Sequence, residues 1–379
     1  MMTYTYKLYR SKRTAKLDAM LREACFVWNH ALALQKRYYR LFGKYISCNR
    51  MKAHFARRIR RYRLHSQTTQ EILERLDLSY KRFFEHKSRR PPKFKRACDF
   101  SSIVYKQGGY RLSGNVLTVN SIKQHFKFSL SRTYEGKVHQ LRIRRSRLGE
   151  YYLHLVTDIV AKSYAHRKSH QGASVGMDFG LKTYLTLSDG TTVDNPLYLK
   201  QGLSELRRKS RALSRCRKGS NHRVSRRRDL ERCHERIRNR RDDWQWKQCH
   251  ELCQRYGTIC IEDLNLMGMT RLWGRKVNDL AFGSFVQKLE YVAAKYDTEV
   301  VKVDRFYASS KTCSVCQYVN EQLTLEDRCW TCPQCGTVHD RDFNASVNIL
   351  RQGIALSGST RKTQLAAQGA LATGESPVL

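Results

Sequence analysis

A chain of 379 residues with 41% apolar residues has length for two or three domains and material for real cores. It carries 72 Lys and Arg against 33 Asp and Glu, a formal charge of +39 that opposes compaction and demands a polyanionic partner. Nucleic acid is the first choice and an anionic membrane the second, and no run of about 18 apolar residues is present to span a bilayer. The start, MMTYTYKLYR, has no apolar stretch of signal-peptide type, and 13 cysteines, mostly scattered singly, suit a reducing cytosol.

Residues 3–10 (TYTYKLYR) alternate and predict a short strand. From Ser11 the pattern turns helical, with Leu17, Met20, Leu21, Ala24, Trp28, Ala31 and Leu32 recurring at three and four residues. Basic helix is expected again over 36–45 (KRYYRLFGKY), its aromatics serving mainly the core, and over 55–63 (FARRIRRYR). A helix from about Ser66 to Glu85 sets Ile72, Leu76, Tyr80 and Phe83 on one face, and the paired prolines of SRRPPKFKR (88–96) end it. Residues 100–165 alternate in short runs between GG, SGN, EGK and LGE turns, which predicts a small barrel or sandwich with a basic face.

Near Ala173 a third regime begins. SVGMDFG reads as a strand of the buried type, and a hairpin is expected around Asp189-Gly190. Two basic helices follow, split by KGSNH (218–222), with seventeen Lys and Arg but four acids between Lys200 and Arg241. A solvated face would mix signs in i,i+4 pairs, so this one-sided run predicts a phosphate-tracking surface. Gly257 is expected to stop the second helix. TICIEDLNL (258–266) is another apolar strand, followed by a helix over about 283–295 and the strand TEVVKV (298–303). HDRDFNASVNIL (339–350) opens a further helix, and the tail from Gln352 to Leu379 is expected to be disordered.

Asp178 sits within one apolar strand and Glu262 within another, and a carboxylate in such a setting must be paired, hydrogen-bonded or metal-bound. A structural salt bridge would explain either alone. Asp342, in a DRD-x-N turn, is a third candidate, with helix capping as its plain alternative. Three carboxylates from separate rigid segments suit two-metal phosphoryl chemistry, in which two Mg²⁺ ions about 4 Å apart activate water and stabilise the leaving oxygen.

CWTCPQC (329–335) holds two overlapping C-x-x-C pairs. With Cys313-x2-Cys316, either Cys332/Cys335 or Cys329/Cys332 gives a tetrathiolate zinc spacing. Pro333 and Gly336 shape a tight knuckle around the later pair, so Cys313, Cys316, Cys332 and Cys335 are assigned as the zinc ligands and Cys329 as a bystander.

Taken in order, GMDFG, IEDLN, CSVC…CPQCG and HDRDFNAS resemble the TnpB family, the OrfB-type proteins of bacterial insertion sequences, related to compact type V CRISPR effectors. FVWNHAL (26–32), LDLSYKRFF (76–84), PPKFK (91–95) and SSKTCSVC (309–316) are also similar, so the likeness covers roughly residues 1–350; CSVCQ departs from it, a Gly commonly following the second Cys. The resemblance implies an α/β multidomain protein: an RNase H-like RuvC nuclease domain (166–308 and 338–352) with an inserted zinc ribbon (309–337), a helical recognition domain (11–99), and a β-barrel wedge domain (1–10 and 100–165). It implies a bacterial, nucleoid-associated RNA-guided DNA endonuclease, whose guide derives from the element's end and whose double-stranded target lies beside a short motif; protein oligomers are not required. The catalytic, magnesium-binding acids carry over to Asp178, Glu262 and Asp342, with Asp340 a competitor for the last. The alternative is a guided DNA-binding regulator or transposition accessory that does not cut.

Overall fold

The computed structural model describes residues 2–57, 64–88, 90–159, 173–264, 268, 274, 279–324 and 326–373, the side chains of 358–373 excepted. Part of the basic segment 55–63 therefore lies outside the described residues. The chain divides into two compact units, Met1–Ala161 and Lys162–Leu379. Among the described residues no helix is long and apolar enough to cross a membrane.

The first unit opens with β1 (Met2–Lys7), followed by α1 (Thr14–Phe42), α2 (Cys48–Ala56) and α3 (Ser66–Phe84). Six strands follow: β2 (Ser102–Tyr105), β3 (Tyr110–Ser113), β4 (Val116–Val119), β5 (Gln124–Lys127), β6 (Val138–Arg145) and β7 (Tyr151–Thr157). They form two antiparallel sheets, β1-β7-β6-β2 and β3-β4-β5, joined by a bridge between Leu8 and Phe128. The first strand thus pairs with the last, from Met2 opposite Thr157 to Lys7 opposite Tyr152. In β7, Tyr151, Leu153 and Leu155 are buried while Tyr152 and His154 face outward, the two-residue period of a half-buried strand. The α1 stripe from Leu17 to Leu32 is buried as its spacing predicts. A strap of chain after α3 is tied to it: Asn29 donates to the Lys95 carbonyl at 2.8 Å, the Lys95 N–H donates back at 2.9 Å, and Trp28 donates to the Lys93 carbonyl at 3.1 Å. The stretch 36–45 departs from expectation in part: Tyr39, Leu41 and Phe42 are exposed, while Tyr38 and Tyr45 pack against the core.

The second unit contains β8 (Ser174–Phe179), β9 (Thr183–Leu187), β10 (Thr192–Asp194), α4 (Tyr198–Ser214), α5 (Asn221–Arg255), β11 (Thr258–Glu262), α6 (Phe282–Tyr296), β12 (Glu299–Val303), β13 (Cys329–Thr331), β14 (Val338–Asp340) and α7 (Arg341–Thr373). Five strands form one mixed sheet in the order β10-β9-β8-β11-β12; the first three are antiparallel neighbours, and β8, β11 and β12 run parallel. Gly190 turns the β9–β10 hairpin with φ at 87°, a conformation costly for any side chain. Gly257 does not stop α5 in a left-handed turn; Tyr256 leaves the helix extended and the Gly257 N–H donates to Ala173 at 2.7 Å, passing the chain directly into the sheet.

The sheet's two faces carry different elements. Val175, Met177, Ile259 and Ile261 pack with Leu252 of α5 and Phe282, Phe285 and Leu289 of α6. The alternate residues Gly176 and Cys260 meet α7: a Cβ on Gly176 would lie 2.1 Å from the Ser346 carbonyl oxygen, and one on Gly353 would lie 2.3 Å from the Cys260 sulfur. Two missing side chains let α7 settle onto the sheet. The disorder expected from Gln352 is corrected as far as Thr373, where α7 continues; RKTQLAAQGALA is rich in good helix formers, and the glycine at 353 serves packing. Gly176→Ala is expected to cost about 3 kcal/mol, since backbone and not a pliable side chain blocks the methyl. Gly190→Ala, in open space, should cost only about 1 kcal/mol for its φ. Urea unfolding of the two variants checks the order.

Candidate active site and metal clip

Residues 176 and 178 share one face of β8, as 260 and 262 share one face of β11. That face is the one α7 covers. The parallel register pairs Thr258 with Ser174 through Ile261 with Met177, so the next step sets Glu262 beside Asp178. Asp342 arrives on the first turn of α7. The second-unit sheet thus brings two of the acids to neighbouring strand ends and α7 brings the third.

Asp178 keeps some exposed surface, yet protein surrounds its carboxyl closely. Lost hydration, then repulsion from Asp342 and from Glu262, push it up to about 7. Arg341 opposes that shift. Burial also raises Glu262, with Asp263 beside it adding to the effect. The repulsion within the acid pair is expressed at Asp178, the more deeply set of the two and so the one that takes up a proton. Asp263 is itself held by Arg305. Arg328 reaches Asp342, with Nη1 3.4 Å from both carboxylate oxygens. Asp340 acts on the helix instead, where its Oδ1 accepts the Phe343 N–H at 2.8 Å and caps α7.

The sign of the linkage follows. A carboxyl raised to about 7 in the folded protein binds its proton more tightly there than in the unfolded chain. In metal-free protein its contribution is therefore fully present below pH 4 and is lost as pH rises towards 7, a change of up to about 4 kcal/mol. Metal-free Asp178→Asn should flatten that part of a plot of Tm against pH.

Cys313, Cys316, Cys332 and Cys335 place their sulfurs within 4.8 Å of one another. Cys313 and Cys335 are 3.6 Å apart, and Cys316 and Cys332 3.5 Å. Four sulfurs about 2.3 Å from a common centre would be about 3.8 Å apart, so the set fits a tetrahedral metal. Cys329 lies outside the group, exposed on β13 opposite Asp340. Among the described residues no such cluster includes the three carboxylates, which approach closely enough to repel but not to share one centre.

Each knuckle ends in a left-handed residue, Gln317 at φ 67° and Gly336 at φ 70°. Gln317 occupies a place that favours glycine, and its side chain compensates by donating to the Cys313 carbonyl at 3.1 Å. Hydrogen bonds from the Thr337 hydroxyl and backbone hold the Cys335 thiol down at about 6, towards the thiolate a metal needs. His339, buried against Trp330 with ring centroids 4.9 Å apart, reaches the Cys313 sulfur with Nε2 at 3.1 Å.

The clip is joined to the acid-bearing helix by two buried amides. Asn344 donates to the Thr312 carbonyl at 2.7 Å and accepts from the Ser314 N–H at 2.9 Å, bracketing Cys313. Asn348 donates to Thr312 at 2.6 Å and Ser309 at 2.9 Å. The Arg341 N–H donates to the Arg328 carbonyl at 2.8 Å. Reading the chain by residue type missed Arg328, His339 and the two asparagines; the HDRDFNAS string contains two of them, but not their partners.

The expected basic helices are α4 and α5. Ser204, Arg207, Arg208, Arg211, Ala212 and Arg215 line a cavity of about 510 Å³ on α4. The acid nearest in sequence, Glu205, is engaged by Lys209 at 2.7 Å and Arg236 at 3.7 Å.

Residues 282–349 match the family described as "Cas12f1-like, TNB domain", and residues 138–272 match the OrfB_IS605 family described as "Probable transposase". A "Putative RNA-guided DNA endonuclease" of Streptomyces pristinaespiralis is 34% identical over 294 residues, covering 76% of this chain and 71% of that protein. The chain belongs to the TnpB family. Its TnpB relatives include the "Putative RNA-guided DNA endonuclease InsQ" of Escherichia coli K12, 26% identical over 88% of this chain and 87% of that one. A Mycobacterium tuberculosis relative is 32% identical, but only 50% of its length is covered. Among solved structures, a chain of the Cas12f1–sgRNA–target DNA complex has a TM-score of 0.60 at 16% identity, covering 90% of this chain and 83% of that one. The mini-RNA-guided endonuclease CRISPR-Cas_phi3 gives 0.52 at 9% identity, covering 93% and 92%. Both likenesses concern the α/β fold.

Proposed function

We propose that this protein is an RNA-guided DNA endonuclease of a bacterial insertion sequence, cutting DNA that pairs with its guide beside a short motif. The observation that supports the reading is that Asp178 and Glu262 stand at neighbouring strand ends, with Asp342 on α7 near enough to repel Asp178, in a TnpB chain. Three antiparallel strands continued by two parallel ones suit an RNase H-like RuvC domain, and the two antiparallel sheets of the first unit suit the wedge.

The acids fit Mg²⁺: an oxygen-only donor set, crowded until one carboxyl is pushed to about 7, needs a hard cation as counter-charge. Bound there, magnesium would supply the activation of water and the stabilisation of the leaving oxygen. Asp178 and Glu262, on neighbouring central strands, hold two oxygen donors at fixed spacing. Asp342 would complete the set from α7, its helix held by the Asp340 cap and the Asn344 clamp. The sulfur set fits structural Zn²⁺, which when bound would fix the loop that α7 is tied to. Arg207, Arg208, Arg211 and Arg215 offer a phosphate-following surface on α4, since a guide–target duplex is held by its backbone.

Sequencing the RNA that co-purifies with the intact chain tests the reading. The expected RNA is a structured transcript of the element's end whose 3′ segment matches DNA outside the element. Absence of any such segment, with RNA bound at random, would reduce the protein to a general RNA binder.

A further inference from the structure

The last turns of α1 leave large rings in the open. Tyr39, Leu41 and Phe42 are 62%, 60% and 59% exposed, and Phe84 at the end of α3 is 55% exposed. Two ring groups form there: Tyr38 lies on Phe42 with centroids 4.7 Å apart, and Tyr45 meets Phe84 edge-on at 5.8 Å. Gly43, at φ 62°, turns the chain between them. Arg50 covers the Tyr38 ring at 5.4 Å. The setting is predominantly cationic: Tyr45 donates to Asp77 and Glu85 follows Phe84, but Lys81 and Lys87 pair with those two acids. No acid occurs between Glu23 and Glu71, while Lys36, Arg37, Arg40 and Lys44 share the turns that carry the rings.

Exposed rings alone would suit a protein partner. Rings in a field where cations outnumber acids, and where the acids present are paired with lysines, suit a ligand that is anionic along its length and presents flat π faces, which is an unpaired nucleic-acid strand. We propose that the C-terminal end of α1, with Phe84, is a stacking platform for unpaired bases of the DNA strand displaced from the target. The proposal rests on the guided-endonuclease reading, because pairing the guide with one DNA strand leaves the other with its bases free. Stacking needs no base identity, so the platform would hold whatever sequence is displaced.

The test uses the full chain loaded with its RNA and a target duplex carrying 2-aminopurine at successive positions of the displaced strand. Wild type should quench the probe at one or more positions. Tyr39→Ala/Phe42→Ala should lose that quenching and bind a single-stranded oligonucleotide of the displaced sequence about tenfold more weakly. Its slope of log affinity against log salt should not change, whereas Arg37→Gln/Arg40→Gln should reduce the slope, because only the second pair removes phosphate contacts. Unchanged quenching and affinity in a folded double variant would overturn the proposal. So would a shift of the wild-type chain from dimer to monomer on the same substitutions, which would give the patch to a second copy, or loss confined to an RNA loop. A wild type that engages no target would sink the guided reading and this proposal together, a result the RNA sequencing reads separately.

Discussion

Asp178→Ala is expected to lower target cleavage about a thousandfold or more while leaving RNA binding intact, the scale at which lost metal-assisted charge stabilisation registers. The reason is position. Asp178 stands beside Glu262 on the next parallel strand and within repulsive range of Asp342, so of the three it is the carboxylate that feels both others. The same crowding gives an accompanying result with the opposite sign. Without metal, removing this acid relieves a burial and repulsion cost, so the variant should melt higher than wild type above pH 7. Retained cleavage with RNA bound would remove Asp178 from the chemistry.

Cys332→Ser is expected to lose zinc and to reduce cleavage at least about tenfold, whereas Cys329→Ser should keep zinc and act within about twofold of wild type. Cys332 lies 3.5 Å from Cys316 inside the four-sulfur group, and Cys329 lies outside it. The transmission runs through Asn344, which grips the backbone on both sides of Cys313 two residues beyond Asp342. Zinc content by atomic absorption and cleavage on the same preparations decide it. The reverse pattern would move the ligand set to the earlier C-x-x-C pair.

Much of the site was legible because its signals are local. An acid inside an apolar strand is conspicuous; a structural salt bridge would explain either alone, and the recurrence of the setting makes Asp178 and Glu262 candidates. The zinc register was legible because Gly336 adopts the left-handed turn a knuckle needs. Other features depend on distant partners and left no local mark. By residue type Asp340 competes with Asp342, and only the resemblance favours Asp342; the hydrogen bond from the Phe343 N–H makes Asp340 the cap. Gly176 reads as an ordinary strand residue until Ser346 is found against it. Arg328 is one cation among 72 until it reaches Asp342. The aromatics of 36–45 share one basic stretch, and nothing local in the sequence separates Tyr38 and Tyr45, which pack on the core, from Tyr39 and Phe42, which are exposed.

The central claim is guided, acid-dependent cutting of DNA. It is tested most directly by incubating the ribonucleoprotein, in Mg²⁺, with plasmids that either carry or lack a sequence pairing with the guide RNA's 3′ segment, on a randomised flank. The account predicts cuts only in matched plasmids, beside one enriched flanking motif, and none with Asp178→Ala. Tight binding to matched DNA without cutting, with all three acids intact, would contradict it and leave a guided DNA-binding protein in its place.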